Sequence, residues 1–345
     1  MALAAVAHAL DRLREPTLAL LARSQWLRTA LRSRASRVEL FAAIGVATAL
    51  AAALLAPALL WLWAPLVLGV PHLVADVRYL ALPRRSPAVL RARDGVVAAL
   101  LVATLWWPSP RFGGAAVVAA WLLSPAAPSP RALAWRALGS VLVVGAYAAM
   151  WRAPVESSYV LVHAHNAIAV LLFAWVFGRG RARWGLPLAL AVPSVLVLSG
   201  ALDAALPGSA LDEVAGYLLP LAALDQWSAS WCARLAVLFV FLQSVHYAIW
   251  LRLIPELARP RDGARSFRAS LAALQRDFGP LPVALFAAAA LLLLVLAARD
   301  PLLAQREYLR FAGFHAYLEL AFLARWLAGA RAGASARASA KATAR

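Results

Sequence analysis

Apolar residues along this chain come in long runs rather than in the strict alternation of a half-buried strand. Ten such runs stand out, at about 38–58, 60–82, 92–107, 113–124, 134–151, 157–178, 184–203, 229–254, 280–298 and 307–329. Several exceed the roughly 18 apolar residues that a helix needs to cross the hydrocarbon core of a bilayer. A backbone in hydrocarbon must satisfy its own hydrogen bonds, and unbroken runs of this length do so as helices. The third and fourth runs are short and flanked by Pro108, Pro110, Pro125 and Pro128. Read as a re-entrant pair, they leave eight full spans. The expected fold is therefore all-α and polytopic, with about 8–10 transmembrane helices.

The two ends of the chain read differently. Over residues 1–36, leucines and alanines are interleaved with Arg12, Arg14, Arg23, Arg28, Arg32 and Arg34, the pattern of a basic amphipathic segment lying on a membrane surface. Charges recur too often there for a cleavable signal peptide. Residues 37–329 make the transmembrane helical domain. Residues 330–345, rich in Ala, Arg and Ser, have no packing face and are expected to be a disordered basic tail.

Composition fits this division. Of 345 residues 63% are hydrophobic and 14% charged, a balance outside that of soluble domains, so the chain is expected to be an integral membrane protein, in a bacterial inner (cell) membrane. The net charge of +18 comes from 34 basic residues, with Lys341 the single lysine, and these concentrate in loops and tails. Nucleic acid is a poor partner for such a pattern; an anionic lipid leaflet is a good one. With the N-terminus inside, Arg84, Arg85, Arg91, Arg93, Arg131, Arg136, the 179–183 and 259–268 arginines and the tail all fall on one side. Glu156, Asp203, Asp212, Glu213, Asp225, Asp300 and Glu307 fall on the other, which predicts an N-in, C-in topology. Cys232 is the single cysteine, so an intrachain disulfide, a Cys-ligated iron–sulfur cluster and covalent haem attachment are excluded.

Against this background the polar residues inside the runs carry the candidate chemistry. Five of six histidines, His72, His163, His165, His246 and His315, lie within apolar runs. Each costs free energy in hydrocarbon unless partnered, so each is a candidate metal ligand. His72 and Asp76 stand four apart, as do His315 and Glu319, and on a helix that spacing stacks an imidazole over a carboxylate. Asp76 and Glu319 are candidate ligands or orienting groups. They are catalytic candidates too, together with Tyr247, which follows His246. His163 and His165 point in nearly opposite directions on a regular helix, so one of them is the expected ligand unless a local π-bulge turns the other in. Gln243 shares the face of His246 and is expected to fix its tautomer; Arg78 is expected to snorkel to the interface. Neutral imidazoles and carboxylates without thiolate suit non-haem iron, manganese or zinc, and beside a lipid-soluble substrate Fe(II) with O₂ as co-substrate is the economical pairing.

Gly69-Val70-Pro71-His72-Leu73-Val74-Ala75-Asp76 resembles the Gly-x-Pro-His-Gly-x-x-Asp signature of the Brp/Blh family, membrane β-carotene 15,15'-dioxygenases that make retinal. A mid-chain His in an apolar helix, a Phe-rich helix with His246, and His315 with Glu319 follow in similar order. The resemblance implies a multi-span protein that holds iron through His72, His165 or His163, and His246, with His315 a further candidate, and cleaves a carotenoid with O₂. The sequence departs from the family at Leu73 and Val170, and at Leu242 where a second histidine is expected. Two other classes stay open: a b-type haem electron carrier with paired histidines as axial ligands, and a non-enzymatic transporter or assembly protein whose His and acidic groups pair helices.

Overall fold

In a computed structural model, residues 2–21, 23–82, 92–107, 109–124, 129–178, 182–206, 228–259 and 266–343 are described. No strand occurs among them. The helices are α1 (Ala2–Leu21), α2 (Gln25–Arg32), α3 (Arg34–Leu55), α4 (Pro57–Asp76), α5 (Ala92–Trp106), α6 (Pro110–Leu122), α7 (Pro130–Arg152), α8 (Pro154–Leu172), α9 (Ala182–Ser199), α10 (Ala229–Ala248), α11 (Ile254–Leu257), α12 (Phe267–Phe278), α13 (Pro280–Arg299) and α14 (Pro301–Thr343). All ten apolar runs fall on helices.

Among the described residues six helical stretches are long and apolar enough to cross a membrane: Arg34–Leu55, Pro57–Ala81, Pro130–Arg152, Pro154–Phe177, Ser230–Leu257 and Pro280–Arg299. The protein is thus an all-α, polytopic membrane protein. Asp94–Trp106 and Arg183–Ser199 are apolar but shorter. The remaining two runs fail for different reasons. α6 has only 13 residues, about 20 Å of helix against a core of about 30 Å. α14 carries Glu307, Arg310, Glu319 and Arg325 within its run. Its helix runs on to Thr343. The loops holding Arg84, Arg85, Arg91, Arg179, Arg181, Asp212, Glu213, Asp225, Arg261 and Arg265 lie outside the described residues.

Proline sets the joints. α4, α6, α7, α13 and α14 each begin with one, where the missing N–H leaves no bond unmade and the ring presets the helical φ. Ser109 and Ser129, just before two of these prolines, accept hydrogen bonds from the amides of Arg111 and Ala132. Between α12 and α13 the chain turns at Gly279, whose φ of +90° suits a residue without a side chain.

The chain forms two compact units. The first comprises residues 1–78, 169–220 and 224–305, and the second 79–168, 221–223 and 306–345. In the first, α10 packs against α3, α4 and α9. Its buried side chains include Phe239, Val240, Phe241 and Val245 and, in the π-helical turn Ile249–Leu253 that follows, Ile249, Trp250 and Leu253. Further π-helical turns end the His-bearing helices α4 (Val77–Ala81) and α8 (Phe173–Phe177). Near His163 and His165, where a bulge was considered, α8 is regular. Arg78 is not simply snorkelling: its Nε donates to Asp277 Oδ2 of α12 at 2.8 Å.

In the second unit α6 packs against α5 and α7. Trp121, Ala324 and Ala328 form a buried cluster with Val117, Trp135, Val143 and Leu327 around it. Trp121 Nε1 donates to Ser140 Oγ at 3.1 Å, and Trp135 Nε1 donates to the Leu327 carbonyl at 3.3 Å, so the indoles are fixed at both their apolar and polar ends.

At the basic N-terminal end, the Asp11 carboxylate of α1 accepts from the amides of Phe267 (2.7 Å) and Arg268 (3.2 Å), at the start of α12. Burial alone would raise its pKa, but these hydrogen bonds and the Arg268 guanidinium hold it below the ordinary 3.8. A depressed carboxylate adds stability above its unfolded pKa and loses it as pH falls through the folded one. Asp11→Asn is expected to lower the melting temperature at pH 7, with the gap to wild type closing as pH falls below about 3.8. A gap that is independent of pH would refute this anchor.

A second prediction concerns packing. A Cβ at Gly139 of α7 would overlap the Trp121 ring, whereas one at Gly145 of the same helix meets nothing within 4 Å. Gly139→Ala is expected to destabilise by about 1–3 kcal/mol and Gly145→Ala to be neutral or stabilising, as read by thermal denaturation. Equal effects would show that the indole does not sit against α7.

Candidate metal centre

In the first unit the site is built from α4 and α10. Pro71 lies inside α4, immediately before His72; having no N–H, it withholds one hydrogen bond from the helix there. His72 and Asp76 are buried, 1% and 0% exposed, and so is His246 on α10, at 1%. The two imidazoles meet edge to face, ring centroids 4.7 Å apart at 70°, with Nε2 of one 2.8 Å from Nε2 of the other. His72 Nε2 also stands 3.1 Å from Asp76 Oδ2. One imidazole nitrogen thus faces a second imidazole and a carboxylate, and a single proton cannot serve both. Neither Asp76 oxygen makes a hydrogen bond among the described residues, an expensive state for a carboxylate wholly removed from water.

Tyr247 lines the same place, its ring centroid 5.1 Å from that of His72 and 6.0 Å from that of His246. Gln243 does not fix His246, as was expected; its Nε2 donates to the Tyr247 hydroxyl at 3.4 Å, because residues four apart stack on one helix face.

In the second unit His165 of α8 and His315 of α14 meet edge to face, with centroids 5.2 Å apart at 84°. Each ring's Nδ1 lies against a carbonyl one turn earlier in its own helix, that of Val162 at 2.8 Å for His165 and that of Ala312 for His315. With Nδ1 donating, Nε2 keeps its lone pair and points away from the backbone, the tautomer that metal-ligating histidines use. Glu319, one turn on from His315, is 0% exposed. Of the two α8 candidates, His165 is buried and faces His315, while His163 is only half-buried. Asn166 was not singled out by the sequence reading. It is buried, and neither its amide oxygen nor its nitrogen is hydrogen-bonded among the described residues. Its signal was available as an amide side chain in an apolar run beside a histidine.

These donors fit a metal. Imidazole nitrogens bind divalent ions at about 2.0–2.1 Å, so two neighbouring ligands on one ion stand about 3 Å apart, the spacing of the two Nε2 atoms here. Oxygen and nitrogen donors without thiolate suit iron, manganese or zinc alike. The same spacing opposes a haem between His72 and His246, since axial nitrogens on opposite faces of one iron lie about 4 Å apart. No known protein family, curated protein or solved structure matches this chain. The likeness to the Brp/Blh signature rests on its own residues.

The bare carboxylate at Asp76 has a measurable consequence. In metal-free protein, Asp76→Asn replaces a buried carboxyl group that makes no hydrogen bond among the described residues and is expected to be neutral or to stabilise by up to about 1–3 kcal/mol. In metal-loaded protein the same change is expected to weaken metal affinity. A metal-free variant less stable than wild type would mean that Asp76 serves the fold.

Proposed function

We propose that this protein is a membrane oxygenase that holds Fe(II) through intramembrane histidines and acts with O₂ on a carotenoid or another apolar lipid. The observation that carries this reading is the convergence of His72 Nε2, His246 Nε2 and the Asp76 carboxylate away from water. Fe(II), when bound, supplies the activation of O₂ that an all-organic side-chain set lacks. His72 and His246 offer ligand nitrogens from two helices. Asp76 either completes the set or orients His72, and Tyr247 walls the site and offers a hydroxyl. In the second unit His165 and His315 offer Nε2 in the same tautomer, with Glu319 beneath; His163 stands aside. The apolar spans bring a lipid-soluble substrate to the site without its entering water, and exclude water from reactive species. The product class implied by the Brp/Blh resemblance is retinal or a related polyene aldehyde. The basic loops suit an N-in, C-in placement in a bacterial cell membrane.

A second reading has its own support. The Nε2–Nε2 hydrogen bond is a polar contact between α4 and α10, and such a pair would serve a non-enzymatic transporter or assembly protein.

Metal analysis of purified protein separates the two. His72→Ala and His246→Ala are each expected to cost at least about tenfold in iron affinity, with helical content unchanged, while His163→Ala retains iron. Expression in a carotene-accumulating host is expected to bleach the cells and yield retinal, and to do neither with His72→Ala. Iron retained at full stoichiometry in both ligand variants would overturn the oxygenase reading and leave the helix-pairing role.

A further inference from the structure

Beyond the π-helical turn 249–253, the chain enters α11 and reaches Glu256, a carboxylate 2% exposed. Its Oε1 accepts from Arg37 Nε at 3.0 Å and Nη2 at 2.9 Å, and Arg259 forms an ion pair with the same oxygen. Arg252 Nη1 stands 3.4 Å from Oε2. The remaining terminal nitrogen of Arg37 donates to the carbonyls of Leu31 (2.8 Å) and Arg32 (3.0 Å), which end α2. Arg34 Nη1 reaches the Leu257 carbonyl at 3.5 Å. Three guanidiniums therefore share one carboxylate. Arg14 adds its repulsion on Arg252, and Arg34 a further charge.

The three guanidiniums are not equivalent. Arg37 and Arg259 are sealed, with side chains 3% and 8% exposed, while that of Arg252 is 46% exposed and lies 3.8 Å over the Phe41 ring. Glu256 thus anchors a preordered positive group of which one member opens outward, braced by an aromatic face. The group lies where one apolar span begins, at Arg34, and another ends, at Leu257, which is the level of lipid headgroups in a bilayer.

We propose that Arg252, supported by Arg37, Arg259 and Arg34 around Glu256, forms a binding site for a phosphate oxyanion, supplied by an anionic phospholipid headgroup or by free phosphate. Guanidinium groups match phosphate oxygens in geometry as well as charge, and Arg252 presents one at the outer edge of the group, already braced by Phe41. The proposal does not depend on the metal reading.

The test uses the full-length protein, purified in detergent and stripped of lipid. Thermal shift and native mass spectrometry are run with phosphatidylglycerol, phosphatidylcholine and inorganic phosphate, on wild type, Arg252→Gln and Arg325→Gln. Arg325 is a half-exposed arginine paired with Asp94 in the second unit, which controls for loss of one positive charge. Phosphatidylglycerol is expected to bind and raise the melting temperature, phosphatidylcholine to do neither, and Arg252→Gln to weaken the effect by roughly fivefold or more, with Arg325→Gln like wild type. If inorganic phosphate protects equally and competes, the site takes the free anion; if it does neither, the site belongs to the headgroup. Equal responses to the two lipids without a phosphate effect, or an Arg252→Gln protein indistinguishable from wild type, would overturn the proposal.

Discussion

A polar side chain in hydrocarbon must find its partner on the protein, because no water is there to supply one. In the first unit this requirement joins α4 to α10 through His72 and His246. On the same two helices Phe241 and Val245 of α10 and Leu66 and Ala75 of α4 are buried as well. In the second unit His165 and His315 meet under the same requirement, and each is first steadied by its own helix through an Nδ1 to carbonyl contact. A ring held on one side by backbone has its other nitrogen aimed. That aiming matters more to function than the small energy of either bond, since a site tolerates little angular error in its ligands.

Much of the architecture was legible because membrane helices are written in two strong signals. Long apolar runs marked the elements, and Pro57, Pro110, Pro130, Pro154, Pro280 and Pro301 marked where most of them start. What the runs could not convey was length against interruption. α6 is apolar but ends after 13 residues, and α14 is long but carries charges on its buried stretch. The three π-helical turns had no signature in composition. Each follows a His-bearing segment, where the wide turn re-aims the helix by a fraction of a residue.

The site divides the same way. The four-residue spacings of His72 with Asp76 and His315 with Glu319 are properties of one helix and could be read directly. Pairings between helices depend on rotation about each axis, which the sequence does not encode locally. Hence His72 and His246 each stood out as polar, but their direct Nε2–Nε2 contact across 174 positions did not. Gln243 was assigned to the wrong neighbour because two residues on its face, His246 and Tyr247, sit within reach at three and four positions. Glu256 escaped notice altogether: in Ile254-Pro255-Glu256-Leu257-Ala258-Arg259 it reads as the ordinary edge of a span, and only the fold shows it sealed beneath Arg37 and Arg259.

The distribution of charge argues that such sealed groups are arranged rather than incidental. A chain with 34 basic and 16 acidic residues can leave most of its arginines in water or at headgroups, where an unpaired charge costs little. Three of its carboxylates, Asp76, Glu256 and Glu319, are at most 2% exposed. Glu256 is surrounded by the guanidiniums of Arg37, Arg252 and Arg259. Asp76 has imidazole, that of His72, as its ion-pair neighbour among the contacts described. One buried carboxyl group is therefore lined by guanidinium and the other by imidazole, and they lie in the same packed unit, Asp76 where α4 meets α10 and Glu256 on α11 beside α3. The asymmetry follows from residue type alone. Arginine carries its charge at any physiological pH, while histidine can stay neutral in hydrocarbon and leave its lone pair for a metal.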